Sequence, residues 1–262
     1  MSNERHLGLG LRLFSYCVRV PLVGLCTILC GTLSLLSSLV DSDGHLQHGF
    51  ARLWSWLILK VVQCPVQTEG FEKIDASKPA IYASNHLSLI DTPCLFWHMP
   101  FQFRIMAKKE LFGVPFMGWH LRRSGQIPID RTSARASLLS LTKAMELLKG
   151  GMNLVVFPEG GRSHNGQVQP FLGGVFYAAI KAGVPIVPMA MIGNFEALPM
   201  NNYAVAPRTL LMRIGDPVST EGFVPRDMEK LAAIVQKKVE DLYYEYSDAA
   251  DPRTAIEEPA AQ

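Results

Sequence analysis

Charged residues and cysteines are both scarce in this chain, and each shortage excludes a class of protein. Only 18% of the 262 residues are charged and 48% are hydrophobic, whereas roughly 25% charged residues are usual in a soluble domain. This composition excludes a disordered chain and a coiled coil. The five cysteines contain no Cys-x-x-Cys pair, which excludes a zinc ribbon and a disulfide scaffold. We expect a folded domain in a reducing compartment, with cysteines acting as small buried hydrophobic residues.

Positive charge is concentrated outside the C-terminal part of the chain. Residues 1–220 contain 20 Lys and Arg against 13 Asp and Glu, whereas residues 221–262 contain 5 against 10. A cationic and apolar domain fits an anionic partner at a phospholipid membrane. A nucleic-acid binder would have a more strongly basic patch, so no nucleic-acid partner is expected.

The first 66 residues contain two apolar segments. Residues 20–40 have no charge, and a helix of that length spans about 30 Å, the thickness of a bilayer core. Arginines precede this segment and aspartates follow it, which by the positive-inside rule keeps the N-terminus in the cytosol. The second segment, residues 50–62, contains Arg52, Trp54, Trp56 and Lys60. Tryptophans beside long cationic side chains predict an interfacial helix.

Beyond residue 66, short apolar runs alternate with helical patterns. The runs at residues 80–84, 103–107, 125–129, 153–157 and 185–190 predict buried strands. The patterns at residues 133–149, 174–182 and 227–246 predict helices, with Ser133 as an N-cap and Gly183 as a stop. In the first of these helices, Leu138, Leu141, Met145 and Leu148 are expected on one apolar face. We expect an α/β fold with a mixed, mostly parallel sheet covered by helices. It would comprise membrane-anchoring helices at 1–66, an α/β domain at 67–248 and a loose tail at 249–262.

A polar segment follows the first strand of this domain and contains Asn85, His86 and Asp91. Five residues correspond to about 140° around a helix, so His86 and Asp91 meet only if His86 precedes a helix that begins near Asp91. In that geometry the carboxylate would orient the imidazole and leave its other nitrogen free as a general base. Alternatively, Asp91 only caps a helix and His86 is an ordinary loop histidine.

Two further strand ends carry arginines. Residues 155–163 lead from a strand through a Pro and two glycines to Arg162, and residues 125–131 end at Arg131. A glycine-rich loop allows close approach of a ligand, and the guanidinium fork suits a phosphate. The window 104–135 contains seven Lys and Arg, among them Lys108, against two acidic residues. This window is either an anion-binding patch or a face for lipid headgroups, and either arginine could instead be a solvated loop residue.

Taken in order, these segments resemble the glycerolipid acyltransferase family, whose best-known members are the 1-acyl-glycerol-3-phosphate acyltransferases. Asn85-His86-x4-Asp91 matches the NHx4D block of that family. Residues 107–111 match its AKKEL stretch, residues 127–131 its IxxDR-like block, residues 157–163 its FPEGTRS block and residues 184–188 its VPIVP block. The resemblance covers residues 79–193. Gly161 stands where the family usually has Thr, which leaves the substrate preference open.

The resemblance implies transfer of a fatty acyl group from an acyl thioester to the free hydroxyl of 1-acyl-glycerol-3-phosphate, giving phosphatidic acid. It implies His86 and Asp91 as the catalytic pair and a substrate-binding set of Asn85, Lys108, Arg131, Glu159, Gly160 and Arg162. Glu159 could equally hold its loop through backbone amides. No metal or cofactor is expected beyond acyl-CoA or acyl carrier protein as co-substrate. The chain has no Gly-x-Ser-x-Gly elbow, which favours direct attack by the acceptor over an acyl-serine intermediate.

These donors are cytosolic, which constrains the N-terminal segments. A single crossing would place the catalytic domain outside the cytosol, and Arg52 and Lys60 disfavour a second crossing. We therefore expect a helix pair lying in one leaflet, with the catalytic domain on the cytosolic face of the inner (plasma) membrane. Glycerol 3-phosphate or another lyso-lipid remains open as acceptor. A thioesterase and a non-catalytic lipid-binding protein also remain open.

Overall fold

A computed structural model describes residues 7–130 and 133–253 of the chain. The strands are β1 (Val66–Glu69), β2 (Ile81–Ser84), β3 (Phe103–Lys108), β4 (Ile127–Ile129), β5 (Asn153–Val156), β6 (Ile186–Ile192) and β7 (Leu210–Ile214). The helices are α1 (Leu9–Phe14), α2 (Val20–Ser37), α3 (His45–Val62), α4 (Asp91–His98), α5 (Met117–Arg123), α6 (Ala134–Lys149), α7 (Gly174–Ala182), α8 (Asn194–Ala197) and α9 (Met228–Tyr244).

The strands form one mixed, mostly parallel sheet with the order β1-β7-β6-β2-β5-β3-β4. Strands β6, β2, β5, β3 and β4 run parallel to one another, and β7 pairs antiparallel with β6. The expected fold class is thereby confirmed. Parallel strands end at one edge of a sheet, and in such folds ligands bind beyond that edge.

Helices cover both faces of the sheet, which explains why its central strands are apolar along their whole length. In β2, Tyr82 belongs to the core shared with α3 and α4, whereas Ile81 and Ala83 belong to the core shared with α6, α7 and α9. All four residues of β2 are buried. The strand that carries the NHx4D segment is therefore fixed from both sides.

The N-terminal segment is one continuous helical stretch, Leu9–Ser37, in which a π-helical turn, Ser15–Arg19, joins α1 to α2. The mean hydropathy of its most apolar 18-residue window is 2.0, and only 11% of that window is buried inside the protein. By length and composition it could cross a membrane. The chain has few charged and many hydrophobic residues. Together with this exposed apolar helix, that composition indicates membrane association. The expectation of buried cysteines is wrong for Cys17, which lies exposed on this stretch.

Helix α3 packs against α2 and α4, so the expected N-terminal helix pair is present. Trp54 Nε1 donates to Thr27 Oγ1 at 3.0 Å, and the Arg52 guanidinium donates to the carbonyl oxygens of Met99 and Trp97, each at 3.3 Å. Trp54 and Arg52 therefore bond within the protein, whereas Trp56 and Lys60 of the same helix are exposed, and the interfacial placement of α3 stays a prediction. Ile58 and other α3 residues lie in the core shared with α4. A domain boundary at residue 66 would therefore assign one hydrophobic core to two domains.

The sequence patterns located the three longer helices of the catalytic domain with small errors in their ends. Ser133 accepts a hydrogen bond from the backbone N–H of Ala136 and caps α6, and Gly183 ends α7 with φ of 68°. The apolar face predicted for α6 is wrong at Leu138, which is 53% exposed. The reason is that α6 faces the sheet with Ala144 and Leu148, both 0% exposed.

Two strands of the sheet have no counterpart in the sequence patterns, and most of the expected tail lies outside the described residues. Neither β1 nor β7 was predicted, because β1 is largely exposed and β7 is half-buried at the antiparallel side of the sheet. Of the tail expected at 249–262, the structure describes residues 249–253. Within that part, the Arg253 guanidinium donates to the Asp251 carboxylate at 2.7 Å.

Candidate active site

The strand-to-helix turn after β2 brings His86 to the carboxyl edge of the sheet. Asn85 in this turn is 0% exposed, and its amide bonds the backbone of Met191 on β6 in both directions, at 3.0 and 2.7 Å. The Asn85 amide thus bonds β6 as the backbone of a neighbouring strand would, and these two hydrogen bonds fix the turn. The observed contacts of this side chain are structural, and the substrate-binding role that the resemblance implies for Asn85 stays a prediction.

His86 and Asp91 lie in direct contact. Helix α4 begins at Asp91, and His86 Nδ1 lies 2.7 Å from Asp91 Oδ2. The same oxygen accepts from the backbone N–H groups of Leu87 and Ser88, at 2.7 and 2.9 Å. Because a carboxylate with these partners accepts hydrogen bonds, Nδ1 carries the proton and Nε2 has a free lone pair. The His86 side chain is 20% exposed, whereas Asp91 is fully buried.

The second oxygen of Asp91 has a partner that the sequence motifs do not contain. Asn194 Nδ2 donates to Asp91 Oδ1 at 2.7 Å, and Asn194 is 0% exposed. Asn194 opens α8 directly after β6, the neighbour of β2 in the sheet. The signal that could have found it is a polar residue immediately after the VPIVP strand, at the edge where parallel strands end.

The loop at residues 157–163 encloses His86 from the other side. The Phe157 ring stacks on the His86 imidazole with a centroid distance of 3.9 Å and an interplanar angle of 14°. The backbone N–H of Ser163 donates to the His86 carbonyl oxygen at 2.8 Å. The backbone N–H of His86 donates to Glu159 Oε1 at 3.0 Å. Both backbone groups of His86 are therefore bonded to this loop.

Glu159 is held in an unfavourable environment for a charged carboxyl. Burial, reinforced by the nearby charge of Asp91, raises the pKa of Glu159 to about 9. Its Oε2 is buried without a partner in the described part of the chain. At neutral pH Glu159 is therefore a neutral acid that accepts from the His86 backbone, which is the loop-holding alternative considered for it.

The cationic residues of the motifs lie at the same edge but are more exposed. Arg162 immediately precedes Ser163 and is half-buried, and within the described ranges no acidic side chain pairs with it. Lys108 ends β3 and is 75% exposed, 3.8 Å from Glu110. Lys109 is paired with Asp130 at 2.6 Å. Arg131 lies outside the described residues. Gly160 adopts φ of 74°, a conformation that glycine tolerates best.

An apolar cavity of about 540 Å³ extends from the vicinity of the dyad to the N-terminal helices. Its wall includes Leu89 and Ile90, the two residues before Asp91, and Phe96 further along α4. Most of the remainder comes from α2, α3, β3 and α5, and Arg19, Ser34 and His120 are among its polar wall residues. This volume lies within the range of small-molecule sites. Over the described ranges, no group of three or more His, Cys, Asp or Glu side chains is arranged to hold a metal ion.

Comparisons with known proteins agree with this geometry. A family model described as Acyltransferase matches residues 65–192. The 1-acyl-sn-glycerol-3-phosphate acyltransferase of Saccharomyces cerevisiae is 32% identical over 263 residues, which is 95% of this chain and 86% of the yeast protein. The chloroplastic enzyme of that name from Arabidopsis thaliana is 33% identical over 60% of this chain and 44% of its own length. The chain therefore spans less than half of that chloroplast relative.

A solved structure extends the similarity to the whole fold. The crystal structure of the 1-acyl-sn-glycerophosphate (LPA) acyltransferase from Thermotoga maritima aligns with a TM-score of 0.72 and 25% identity, covering 92% of this chain and 98% of that one. The yeast relative is matched over most of its length, and the solved structure shares the fold from end to end. The chain belongs to the 1-acyl-sn-glycerol-3-phosphate acyltransferase family.

Proposed function

We propose that this chain transfers a fatty acyl group from an acyl thioester to the free hydroxyl of lysophosphatidic acid, giving phosphatidic acid. The observation that carries the proposal is the 2.7 Å contact between His86 Nδ1 and the buried Asp91 carboxylate, in a chain whose relatives bear the name of that activity. This contact orients the imidazole and leaves Nε2 available as a general base.

The residues at the edge of the sheet account for each proton of the reaction. His86 Nε2 accepts the proton of the acceptor hydroxyl as the oxygen attacks the thioester carbonyl, and the buried Asp91 carboxylate stabilises the resulting imidazolium. Collapse of the tetrahedral intermediate breaks the carbon–sulfur bond, and His86 returns the proton to the leaving thiolate. The new ester and a free thiol are the products, and the chain ends in its starting state.

Arg162, Lys108 and Arg131 are the proposed ligands of the acceptor phosphate. Arg162 has no acidic partner in the described part of the chain and is joined through Ser163 to the His86 backbone, so a phosphate held there would lie beside the base. A planar guanidinium fork suits two phosphate oxygens, whereas Lys108 offers a point charge. Gly160 and Glu159 would form the wall of the acceptor pocket between them.

The apolar cavity is the proposed site of an acyl chain. It begins at Leu89 and Ile90 beside the dyad and is enclosed by helices that carry the exposed apolar surface of the protein. A chain leaving the lipid phase could therefore reach the dyad without crossing water. Acyl-CoA and acyl carrier protein are both candidate donors, and no resident cofactor or metal is required by this mechanism.

We propose a monotopic arrangement, with the N-terminal helix pair in one leaflet and the catalytic domain on the cytosolic face. The packing of α3 into the core shared with α4 supports it, because an α3 that crossed the bilayer could not also cover the sheet. Protease added to sealed inside-out vesicles should cut within residues 67–253. Cleavage only in right-side-out vesicles would reverse the orientation.

The experiment that tests the activity is an assay of the purified chain with one acyl-CoA and a panel of acceptors. Lysophosphatidic acid, glycerol 3-phosphate, other lyso-lipids and no acceptor form the panel. Product formed fastest with lysophosphatidic acid supports the proposal. Release of free fatty acid without an acceptor, at the same rate, would indicate a thioesterase. Binding of lipid without turnover of any donor would indicate a non-catalytic lipid-binding protein.

A further inference from the structure

The two oxygens of the Asp91 carboxylate have very different surroundings. Oδ2 accepts from His86 Nδ1 and from two backbone N–H groups of the turn that precedes α4. Oδ1 accepts from Asn194 Nδ2 at 2.7 Å, and Asn194 is its one donor within residues 7–130 and 133–253. The turn therefore holds one oxygen, and a single side chain from another strand end holds the other.

Asn194 is fixed in place by its own turn. Gly193 adopts φ of 86° between β6 and α8, and a Cβ there would lie 3.3 Å from the carbonyl oxygen of Thr209. The carbonyl oxygen of Asn194 accepts from the backbone N–H of Leu198 at 3.0 Å. Since β6 pairs with β2, the sheet itself sets the separation between Asn194 and the His86 turn.

The amide of Asn194 uses its NH₂ group to bind the Asp91 carboxylate. Its Nδ2 lies 3.8 Å from Cys94 Sγ in addition to Asp91, while its Oδ1 is buried without a partner in the described part of the chain. Buried polar atoms without partners are costly and rare. A purely structural asparagine would be expected to satisfy both ends of its amide, as Asn85 does against Met191.

We propose that Asn194 is a positioning residue for the dyad. By holding Oδ1, it fixes the plane of the Asp91 carboxylate and thereby the line from Oδ2 to His86 Nδ1. A neutral amide can do this without adding a second negative charge beside Asp91. The kinetic part of this inference rests on the proposed acyl-transfer activity, whereas its effect on His86 does not.

The test uses the full chain in detergent or nanodiscs and compares Asn194→Ala, Asn194→Asp and Asn194→Ser with a matched control. The control is Asn153→Ala, because Asn153 is also a buried asparagine, 5% exposed, whose Oδ1 accepts from the backbone N–H of Ala80 at 2.9 Å. It lies at the start of β5, away from the carboxyl edge. The measurements are kcat, both KM values, the pH profile and an NMR titration of the His86 imidazole nitrogens.

Asn194→Ala should lower kcat by roughly 10- to 100-fold with both KM values nearly unchanged, as expected when only the orientation of the base is lost. Asn194→Asp should lower kcat less than Asn194→Ala, because two buried carboxyls this close cannot both ionise and the retained proton can still donate to Asp91 Oδ1. Asn194→Ser should recover part of kcat, since its hydroxyl can donate to Oδ1. Asn153→Ala should leave kcat and the His86 titration unchanged.

Identical behaviour of Asn194→Ala and Asn153→Ala, in kcat and in the His86 titration, would overturn the proposal. If Asn194→Ala does not fold, Asn194→Ser gives the same two readouts against Asn153→Ala. If the wild-type chain proves inactive with every acceptor, the proposed function fails and the NMR titration alone decides. A His86 titration that changes in the Asn194 variant but not in Asn153→Ala would then support the positioning role, and identical titrations would reject it.

Discussion

The two sides of His86 are each held by a carboxyl group, but the two carboxyls are in opposite electrostatic states. On the helix side, Asp91 accepts four N–H hydrogen bonds at the start of α4, where the helix dipole also favours negative charge. On the loop side, burial raises the pKa of Glu159 to about 9, so it is neutral at physiological pH. Pairs of carboxyls separated in this way take different roles.

This difference shows where the fold permits negative charge. The charge lies next to the ring nitrogen, where an imidazolium would form, and is absent from the loop side, where Arg162 is available to a phosphate. Had Glu159 been ionised, it would repel an anionic acceptor and compete for Arg162. Under the proposed function, the helix side would serve proton transfer and the loop side acceptor binding.

The largest effect is expected on the helix side. His86→Ala should abolish transfer, and Asp91→Asn should lower kcat by at least ~100-fold, because the imidazolium loses its counter-charge. Steady-state rates on folded protein, verified by circular dichroism, measure both. Wild-type turnover in either folded variant would remove that residue from the mechanism.

A smaller effect, of a different kind, is expected for the loop-side cation. Arg162→Ala should raise the acceptor KM more than it lowers kcat, by roughly 10- to 150-fold, equivalent to about 1.5–3 kcal/mol for a charged bidentate contact. Arg162→Lys should recover only part of this. Lys109→Ala is the matched control, because its ammonium is already paired with Asp130 at 2.6 Å.

An acceptor without a phosphate sharpens this test. It should respond little to Arg162→Ala, since the contact being removed does not exist for it. Equal losses for acceptors with and without a phosphate would show that Arg162 supports the loop or the donor instead.

The neutral state of Glu159 predicts a pH-dependent effect on stability. Its folded pKa of about 9 lies above the unfolded value of 4.5, so the folded chain retains a proton that the unfolded chain releases, and stability falls as pH rises from about 4.5 to 9. Glu159→Gln removes this dependence and keeps an acceptor for the His86 N–H. We expect Glu159→Gln to raise the free energy of unfolding by about 2 kcal/mol at pH 8, allowing for partial exposure of Glu159, and to leave it unchanged at pH 4.

Chemical denaturation at the two pH values measures that gain. Glu159→Ala is the control, because it removes the charge and also the acceptor of the His86 backbone N–H. A difference in stability between Glu159→Gln and the wild-type chain that is the same at pH 4 and pH 8 would contradict the neutral state of Glu159.

The sequence predicted the parallel part of the fold because its signals are local. Continuous apolar runs such as residues 154–157 are typical of strands buried on both faces, and capping residues such as Ser133 mark helix ends. β1 was missed because an exposed strand has no such run, and β7 was missed because only alternate residues of it are buried. The orientation of α6 was misjudged at Leu138 because periodicity shows that a helix has an apolar face but not which turn of it meets the sheet.

The candidate site was predictable only where its residues lie in one segment. His86 and Asp91 are five residues apart, and the spacing itself constrains how they can meet. Asn194 is more than a hundred residues from Asp91 and reaches it only through the pairing of β6 with β2. The contact of Glu159 with the His86 backbone likewise depends on how the loop folds over the turn, and no spacing rule describes that.

The smallest expected effect concerns Gly161, where relatives usually have Thr. Gly161 is exposed, a Cβ built on it meets no atom within 4 Å, and its φ is not in the left-handed region. Gly161→Thr should therefore be accommodated without strain and should stabilise the chain by about 0.4–1 kcal/mol, by restricting the unfolded state.

The same substitution also tests acceptor choice. If the missing hydroxyl broadens that choice, Gly161→Thr should raise the ratio of kcat/KM for lysophosphatidic acid to kcat/KM for larger lyso-lipids, by less than about tenfold. Gly161→Ala separates the two effects, because it restricts the backbone without supplying a hydroxyl. An unchanged ratio in Gly161→Thr, together with the expected gain in stability, would assign the departure at this position to loop flexibility alone.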